Sequence, residues 1–346
     1  MALKFVYVVV SSDQDYYAER AVISMYSLLK HNPGSNIVLI TEKDTINSLT
    51  GIKSLLKSYV NEIHVEDLPI YLNQKQKSRF LKTSVRKIIN GDFVFIDVDT
   101  LILGDIKELE EINCEIALVS QGGDNKISKE NSFKEIIKLN NSRGIKKNIN
   151  YGIKSYYNSG VILCKDTETT HKLYELWHKL WFESSTQYGF HNDQPDLWRA
   201  NVLMNNLITE LPPKFNCQPL QFEFALTFLA ECKIFHYHTN NSLTYLTIKK
   251  PSFYISLREN GITEEIDRII ANIKKEYLKG MEILSPEESL LYRSIPSDIG
   301  RKISMYFPTL EKIISRIYKF YKYLSKKYIY YRYENRYISR GTRNKN

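Results

Sequence analysis

Gly91-Asp92-Phe93-Val94-Phe95-Ile96-Asp97-Val98-Asp99-Thr100 is the stretch whose reading decides the fold. Phe93 to Ile96 are uniformly apolar and read as a strand buried on both faces. Two carboxylates follow at once, and a second apolar stretch, Leu101 to Leu103, begins behind them. An unpaired buried carboxylate is costly, so Asp97 and Asp99 must meet a cation, an arginine or water. Alternate residues on an extended strand point the same way, which lets both carboxylates face one ion. Hard divalent ions such as Mg²⁺ and Mn²⁺ take carboxylate oxygens and bridge them to phosphates, so the pair suits a nucleotide diphosphate. Spacing alone does not carry this, because Asp13-Gln14-Asp15 has the same pattern. A surface turn with two solvated aspartates is the plain alternative.

Outward from that strand, apolar runs alternate with helical patterns. Residues 5–10 read as a strand, followed by a helix through Val22, Met25, Leu28 and Leu29; residues 36–41 read as a strand, followed by a helix over 45–59. A third strand at 63–65 precedes a helix over 76–89, which leads into Phe93. This alternation predicts a parallel sheet covered on both faces, with the ligand site outside the carboxyl ends of its strands. Further strands are expected at 116–120, 156–164 and 233–237, and a polar, loop-rich insertion with one short helix at 122–150. Thr167 offers a cap to a helix whose Leu173, Leu176, Trp177, Leu180 and Trp181 recur at helical spacing, with the tryptophans as core.

The chain has 346 residues, 43% of them apolar, enough to bury a sizeable core. Its net charge of +9 is unevenly placed: residues 301–346 hold 13 Lys and Arg against 2 Asp and Glu, a local +11, so the remainder carries −2. A near-neutral main body argues against a broad nucleic-acid footprint. Cys114, Cys164, Cys217 and Cys232 are widely spaced without a Cys-x-x-Cys pair, which predicts reduced thiols and no zinc site. The apolar run near the N-terminus is too short for a signal sequence or a span, and no other segment approaches twenty apolar residues. The expectation is a cytoplasmic protein, peripheral on the inner face of a membrane.

The membrane expectation comes from the tail. Thr309 can cap a helix with Ile313, Ile317, Phe320 and Leu324 on one face and Lys312, Arg316, Lys319 and Lys326 around it, and nine of the 25 tyrosines lie between Tyr306 and Tyr337. Basic amphipathic segments with interfacial aromatics lie on anionic membrane surfaces. The alternative is a helix packed on the rest of the protein with solvated lysines. The expected division is 1–284 as the catalytic domain and 285–346 as the helical, basic, Tyr-rich tail.

Ser78-Arg79-Phe80-Leu81-Lys82 followed by the opening stretch resembles the core signature of glycosyltransferase family 8, in which an Arg- or Lys-bearing helix precedes an apolar strand ending in Asp-x-Asp. Three later segments agree in order: Tyr157-Asn158-Ser159-Gly160-Val161-Ile162-Leu163, His191-Asn192-Asp193-Gln194-Pro195 and Ile234-Phe235-His236-Tyr237-His238. The resemblance, over about Phe5 to Thr239, implies the GT-A fold, a Rossmann-like, mostly parallel sheet flanked by helices, here with a C-terminal helical appendage. It implies a hexosyltransferase that moves a hexose from a nucleotide-sugar, UDP-linked, to a saccharide or lipid-linked acceptor with retention, in polysaccharide or lipopolysaccharide synthesis.

Carried across, the resemblance implies that Asp97 and Asp99 hold Mn²⁺ or Mg²⁺ against the diphosphate, with Asp97 also near the ribose and His236 as third ligand. His238 is the alternate, since both histidines of a strand His-x-His point the same way. Arg79 and Asn158 would face the donor, Asp193 and Gln194 would line the sugar pocket as the catalytic pair, and Ser11 and Asp13 would grip the nucleobase and ribose. The family's Lys-Pro-Trp segment is altered here, leaving Lys249 or Lys250 to close on phosphate. The rival readings are a basic module binding nucleic acid or membrane through its tail, and a transferase fold serving as an inactive subunit.

Overall fold

The computed structural model describes residues 3–121, 156–218, 231–237 and 246–279, with seven helical positions between 309 and 320. The insertion expected at 122–150, His238 and most of the tail lie outside the described residues. The chain divides into two compact units, Met1–Met281 and Glu282–Asn346.

Nine strands occur among the described residues: β1 (Lys4–Val8), β2 (Asn36–Glu42), β3 (Glu62–Glu66), β4 (Phe93–Ile96), β5 (Thr100–Ile102), β6 (Ile116–Ser120), β7 (Tyr157–Cys164), β8 (Thr209–Glu210) and β9 (Ile234–His236). The main sheet runs β3-β2-β1-β4-β7-β6-β8, and β5 pairs with β9 in a separate two-stranded sheet. β3, β2, β1 and β4 are parallel, which places the ends of β1 and β4 side by side at the point where strand order reverses. β7 is antiparallel to β4 and β6. The sequence does not betray this reversal: all eight residues of β7 are buried, and two-sided burial sets an apolar pattern without recording direction.

Strand pleating sorts the core. Phe5, Tyr7, Val9, Val94 and Ile96 point to one face, against α1 (Tyr17–His31). Val6, Val8, Phe93 and Phe95 point to the other, beneath Trp177 and Trp181. Both tryptophans are fully buried core residues, as expected.

The helix anticipated over 45–59 is broken into α2 (Lys43–Ser48), a 3₁₀ turn (Gly51–Ser54) and α3 (Leu55–Tyr59). The break falls at Gly51, whose φ of +54° lies outside the right-handed helix. The helix anticipated over 76–89 is α4 (Gln74–Thr83), started by an Asn73–Gln76 capping box, then α5 (Val85–Ile88) after an interruption at Ser84. α6 (Glu168–Gln187) begins at Thr167 as predicted. α7 (Gln194–Leu203) was not anticipated. Its Pro195 sits in the first turn, where no backbone N–H is needed. The unit ends in α8 (Pro251–Asn260), α9 (Glu264–Ala271) and α10 (Ile273–Lys279), packed around Phe235, Tyr237 and Tyr254. No helix among the described residues is long and apolar enough to cross a membrane.

Candidate metal and donor site

The site is assembled where β4 ends. Residues 97–99 leave the strand in a bend rather than in the extended form expected, so alternation along a strand is not what brings the carboxylates together. The bend is closed by its own backbone: Asp97 N–H donates to Gly160 O (2.8 Å), Thr100 Oγ1 donates to Asp97 O (2.9 Å), and Tyr237 N–H donates to Asp99 O (3.1 Å). β5 then pairs with β9 so that Thr100 faces His236, which carries the imidazole to the bend. His236 Nε2 lies 3.2 Å from Asp99 Oδ1. One donor atom from each of Asp97, Asp99 and His236 falls within 4.8 Å of the others. Donors sharing a small divalent ion at about 2.1 Å lie at most about 4.2 Å apart, so this set fits such an ion after a small closing movement. Two carboxylates and one imidazole, two of them partly exposed and one buried, suit Mn²⁺ or Mg²⁺ in contact with a further oxygen ligand.

Gly160 is the residue that makes room for the imidazole. A Cβ there would stand 2.6 Å from His236 Nδ1 and 2.9 Å from Asn158 Oδ1, and would overlap His236 Cε1. The glycine of the Asn-Ser-Gly segment is thus required by contact with the site, with no special φ involved.

Behind the aspartates lies a second charged cluster. Lys82, from α4, is 2% exposed, places Nζ 3.0 and 3.1 Å from the two carboxylate oxygens of Asp97, and lies 3.6 Å from Asp193 Oδ2. The ammonium also sits 4.9 Å from the centre of the Phe95 ring. Arg79, one turn earlier, brings Nε to 2.9 Å from Asp193 Oδ1. Its N–H is not aligned on that oxygen, so the contact is between charges rather than a hydrogen bond. Asp193 also accepts the Ser159 hydroxyl at 2.7 Å. Burial by itself would push the Asp193 carboxyl up, but Lys82, Arg79 and Ser159 overcome that and hold it down to about 2. The 191–193 segment is pinned from below by the indoles, Trp177 donating to Asp193 O (2.9 Å) and Trp181 to His191 O (3.2 Å). Lys82 and Arg79 thus balance part of the negative charge of Asp97, Asp99 and Asp193.

The sequence reading missed Lys82, although its place one turn after Arg79, on the face turned to the strand, was the available signal. Asp193, expected to line the sugar pocket, is buried in the cluster with Arg79 and Lys82. Gln194, at the start of α7, is half-buried and donates to Gln121 Oε1 (2.9 Å) and Tyr157 O (3.0 Å). Asn158 is buried beside the metal-binding group and is bonded to Gln121, Gly160 and Asn216.

At the end of β1, Ser11 and Asp13 have different surroundings. Ser11 is buried; its hydroxyl donates to Asp15 Oδ1 (2.7 Å) and accepts from Ala18 N–H (3.1 Å), so it closes the entry to α1. Asp15, which also accepts from Ser12 and Tyr17 N–H and from Gln74, is the staple of this loop. The second Asp-x-Asp pattern is thereby explained without an ion. Asp13 is exposed and bonded to the buried Lys53 at 2.7 Å, which lowers its pKa. Of the two candidate closing lysines, Lys250 is exposed, while Lys249 is half-buried. Burial and Arg20 push the Lys249 amine down and Asp99 pulls it up, which puts Lys249 in the field of the metal-binding group.

A Rossmann-like sheet with an acidic, cation-ready group at its switch point has the layout of the GT-A fold. The match of residues 7–242 to the glycosyl transferase family 8 model makes the assignment specific: the chain belongs to that family. Several solved structures are similar to it. Mouse xyloside xylosyltransferase 1 in its apo form shares 13% identity over 70% of this chain and 100% of its own, with a TM-score of 0.47. The galactosyltransferase LgtC in complex with donor and acceptor sugar analogues shares 13% over 82% and 98%, with a TM-score of 0.47. The glycosyltransferase GlyE of Streptococcus pneumoniae TIGR4 shares 15% over 80% and 64%, with a TM-score of 0.47. No curated protein matches the chain.

Proposed function

We propose that this glycosyltransferase moves a hexose from a UDP-linked donor to a saccharide or lipid-linked saccharide acceptor, with retention of anomeric configuration and with Mn²⁺ or Mg²⁺ held by Asp97, Asp99 and His236. The observation that carries this is the convergence of those three donors beside a buried Lys82–Asp193–Arg79 cluster. A bound divalent ion supplies neutralisation of the charge that grows on the departing diphosphate. The protein's own residues do the positioning. Lys82 and Arg79 hold Asp97 and Asp193 in place, Lys249 adds a cation in the field of Asp99, and Gln194 holds its amide at the sugar side. Retention is supported by that fixed amide together with the burial of Asp193 in ion pairs, which removes it as a free base. Asp13, beyond β1, takes the nucleoside end of the donor, held by Lys53 from the 3₁₀ turn Gly51–Ser54.

The tail reading also belongs to this proposal, as attachment to an anionic membrane surface on the cytoplasmic side, with no role for nucleic acid. It is supported by Leu310, Ile313, Ile314, Ile317 and Phe320, which are helical, 44 to 63% exposed, and spaced to share one face in a strongly basic segment.

The test is a panel of nucleotide-sugars screened for hydrolysis and transfer with Mn²⁺ present or chelated. Expected is turnover of a UDP-hexose that EDTA abolishes and that Asp99→Ala lowers at least 100-fold, on the order of the loss of a group acting on transition-state charge. Turnover indifferent to EDTA or to Asp99→Ala sinks the metal reading; no turnover of any donor favours the inactive subunit.

A further inference from the structure

Asn216 stands outside every motif that pointed to the site, yet it is 1% exposed and lies against His236. Which of its amide atoms faces the imidazole is settled by a backbone group two bonds away in the network. Asn158 Oδ1 accepts from Gly160 N–H at 2.8 Å, and a backbone N–H can only donate, so that atom of Asn158 is its oxygen. The same oxygen is 2.9 Å from Asn216 Nδ2, so Asn216 presents its NH₂ group there. The other end of Asn216, its oxygen, is 2.9 Å from His236 Nδ1, which must therefore carry the proton. Nε2, the nitrogen beside Asp99, is then the one turned to the metal-binding group. The opposite arm is oriented by a carbonyl. Gln194 Nε2 donates to Tyr157 O and to Gln121 Oε1, and Asn158 Nδ2 donates to that same Gln121 oxygen at 2.8 Å. Both amide protons of Gln194 are thereby taken up within this network.

We infer that Asn216 is a positioning residue that holds His236 in the Nδ1–H form with Nε2 turned to Asp97 and Asp99, and that one amide relay, anchored at Gly160 N–H and Tyr157 C=O, sets the donor and acceptor sense of both the metal end and the sugar end of the site. The inference rests on the metal reading above. It makes Asn216 the outer partner that fixes a metal-binding histidine, a role whose loss weakens metal affinity about 10- to 100-fold.

Two measurements on the full-length protein test it. Long-range ¹H–¹⁵N spectra of histidine-labelled, metal-free protein at a pH of about 8.5, above the ordinary imidazole range, should show His236 as the Nδ1–H tautomer, assigned with His236→Gln. An Nε2–H tautomer overturns the inference. Calorimetric titration with Mn²⁺ should show Asn216→Ala binding 10- to 100-fold more weakly than wild type while its metal-free thermal midpoint marks it as folded. Affinity within twofold of wild type overturns the inference; if Asn216→Ala does not fold, the wild-type spectrum decides alone. Wild-type protein that shows the expected tautomer but binds no Mn²⁺ refutes the metal reading, and with it the purpose assigned to Asn216.

Discussion

Replacing Gly160 by alanine should disable the site from a strand that bears no functional side chain at that position. The added methyl would stand 2.6 Å from His236 Nδ1 and 2.9 Å from Asn158 Oδ1, where non-bonded atoms want about 3.5 Å. β7 is bonded on both sides and cannot retreat, so the imidazole must move by about 1 Å. A displacement of that size at a reacting centre is worth about 100-fold, or about 2.7 kcal/mol, in kcat/KM for Mn²⁺-dependent donor turnover. Overpacking should also lower stability by about 1 to 3 kcal/mol, so urea unfolding must accompany the kinetics. Gly104→Ala is the control, because a methyl there would meet only the flexible Lys233 side chain, with Cδ at 3.3 Å, and should leave both readouts unchanged. Gly160→Ala with kcat/KM within threefold of wild type would refute the reasoning.

Other expectations follow from the charged cluster and the thiols. Lys82→Met leaves Asp97 and Asp193 without their buried cation, and should lower the unfolding free energy by about 3 kcal/mol in urea; a change below about 1 kcal/mol would show that Arg79 alone suffices. Asp193 has a folded-state pKa of about 2 against an ordinary 3.8, so the stability it contributes is complete above about pH 4 and is lost as pH falls toward 2. Metal-free wild type should therefore lose about 2 kcal/mol more than Asp193→Asn between pH 5 and pH 2, and equal losses would mean the ion cluster contributes nothing. Cys164, Cys217 and Cys232 are buried and Cys114 half-buried, so a thiol reagent on native protein should label Cys114 first, with the others following only on unfolding.

How much was legible follows from what each kind of residue reports. Apolar runs such as Phe93 to Ile96 announce burial, and alternation with helices announces a layered sheet; both were right because they depend on local periodicity. The reversal of β7 and the pairing of β5 with β9 were not legible, since partner and direction are tertiary facts that the same side chains satisfy either way. Within the site, Asp97 and Asp99 could be named because charged side chains at the end of an apolar strand demand a reason, and His236 because its segment resembles one in the family. Lys82 was passed over because a lysine on a helix is ordinarily solvated. Asn216 was passed over because amides carry no charge that would single them out. Asp15 was passed over because loop closure is decided by which carboxylate the following N–H groups can reach.

The pairing of Thr100 with His236 joins positions 136 residues apart, with β6 and β7 formed from the chain between them. On a ribosome, the aspartates emerge long before the histidine that completes their group, and for that interval they are an acidic bend without a third ligand. Contacts of such separation form late in folding. Competence for the cation therefore arrives only after residue 236 of the 346 has been made, and a chain cut short before β9 would carry the acidic signature without the means to use it.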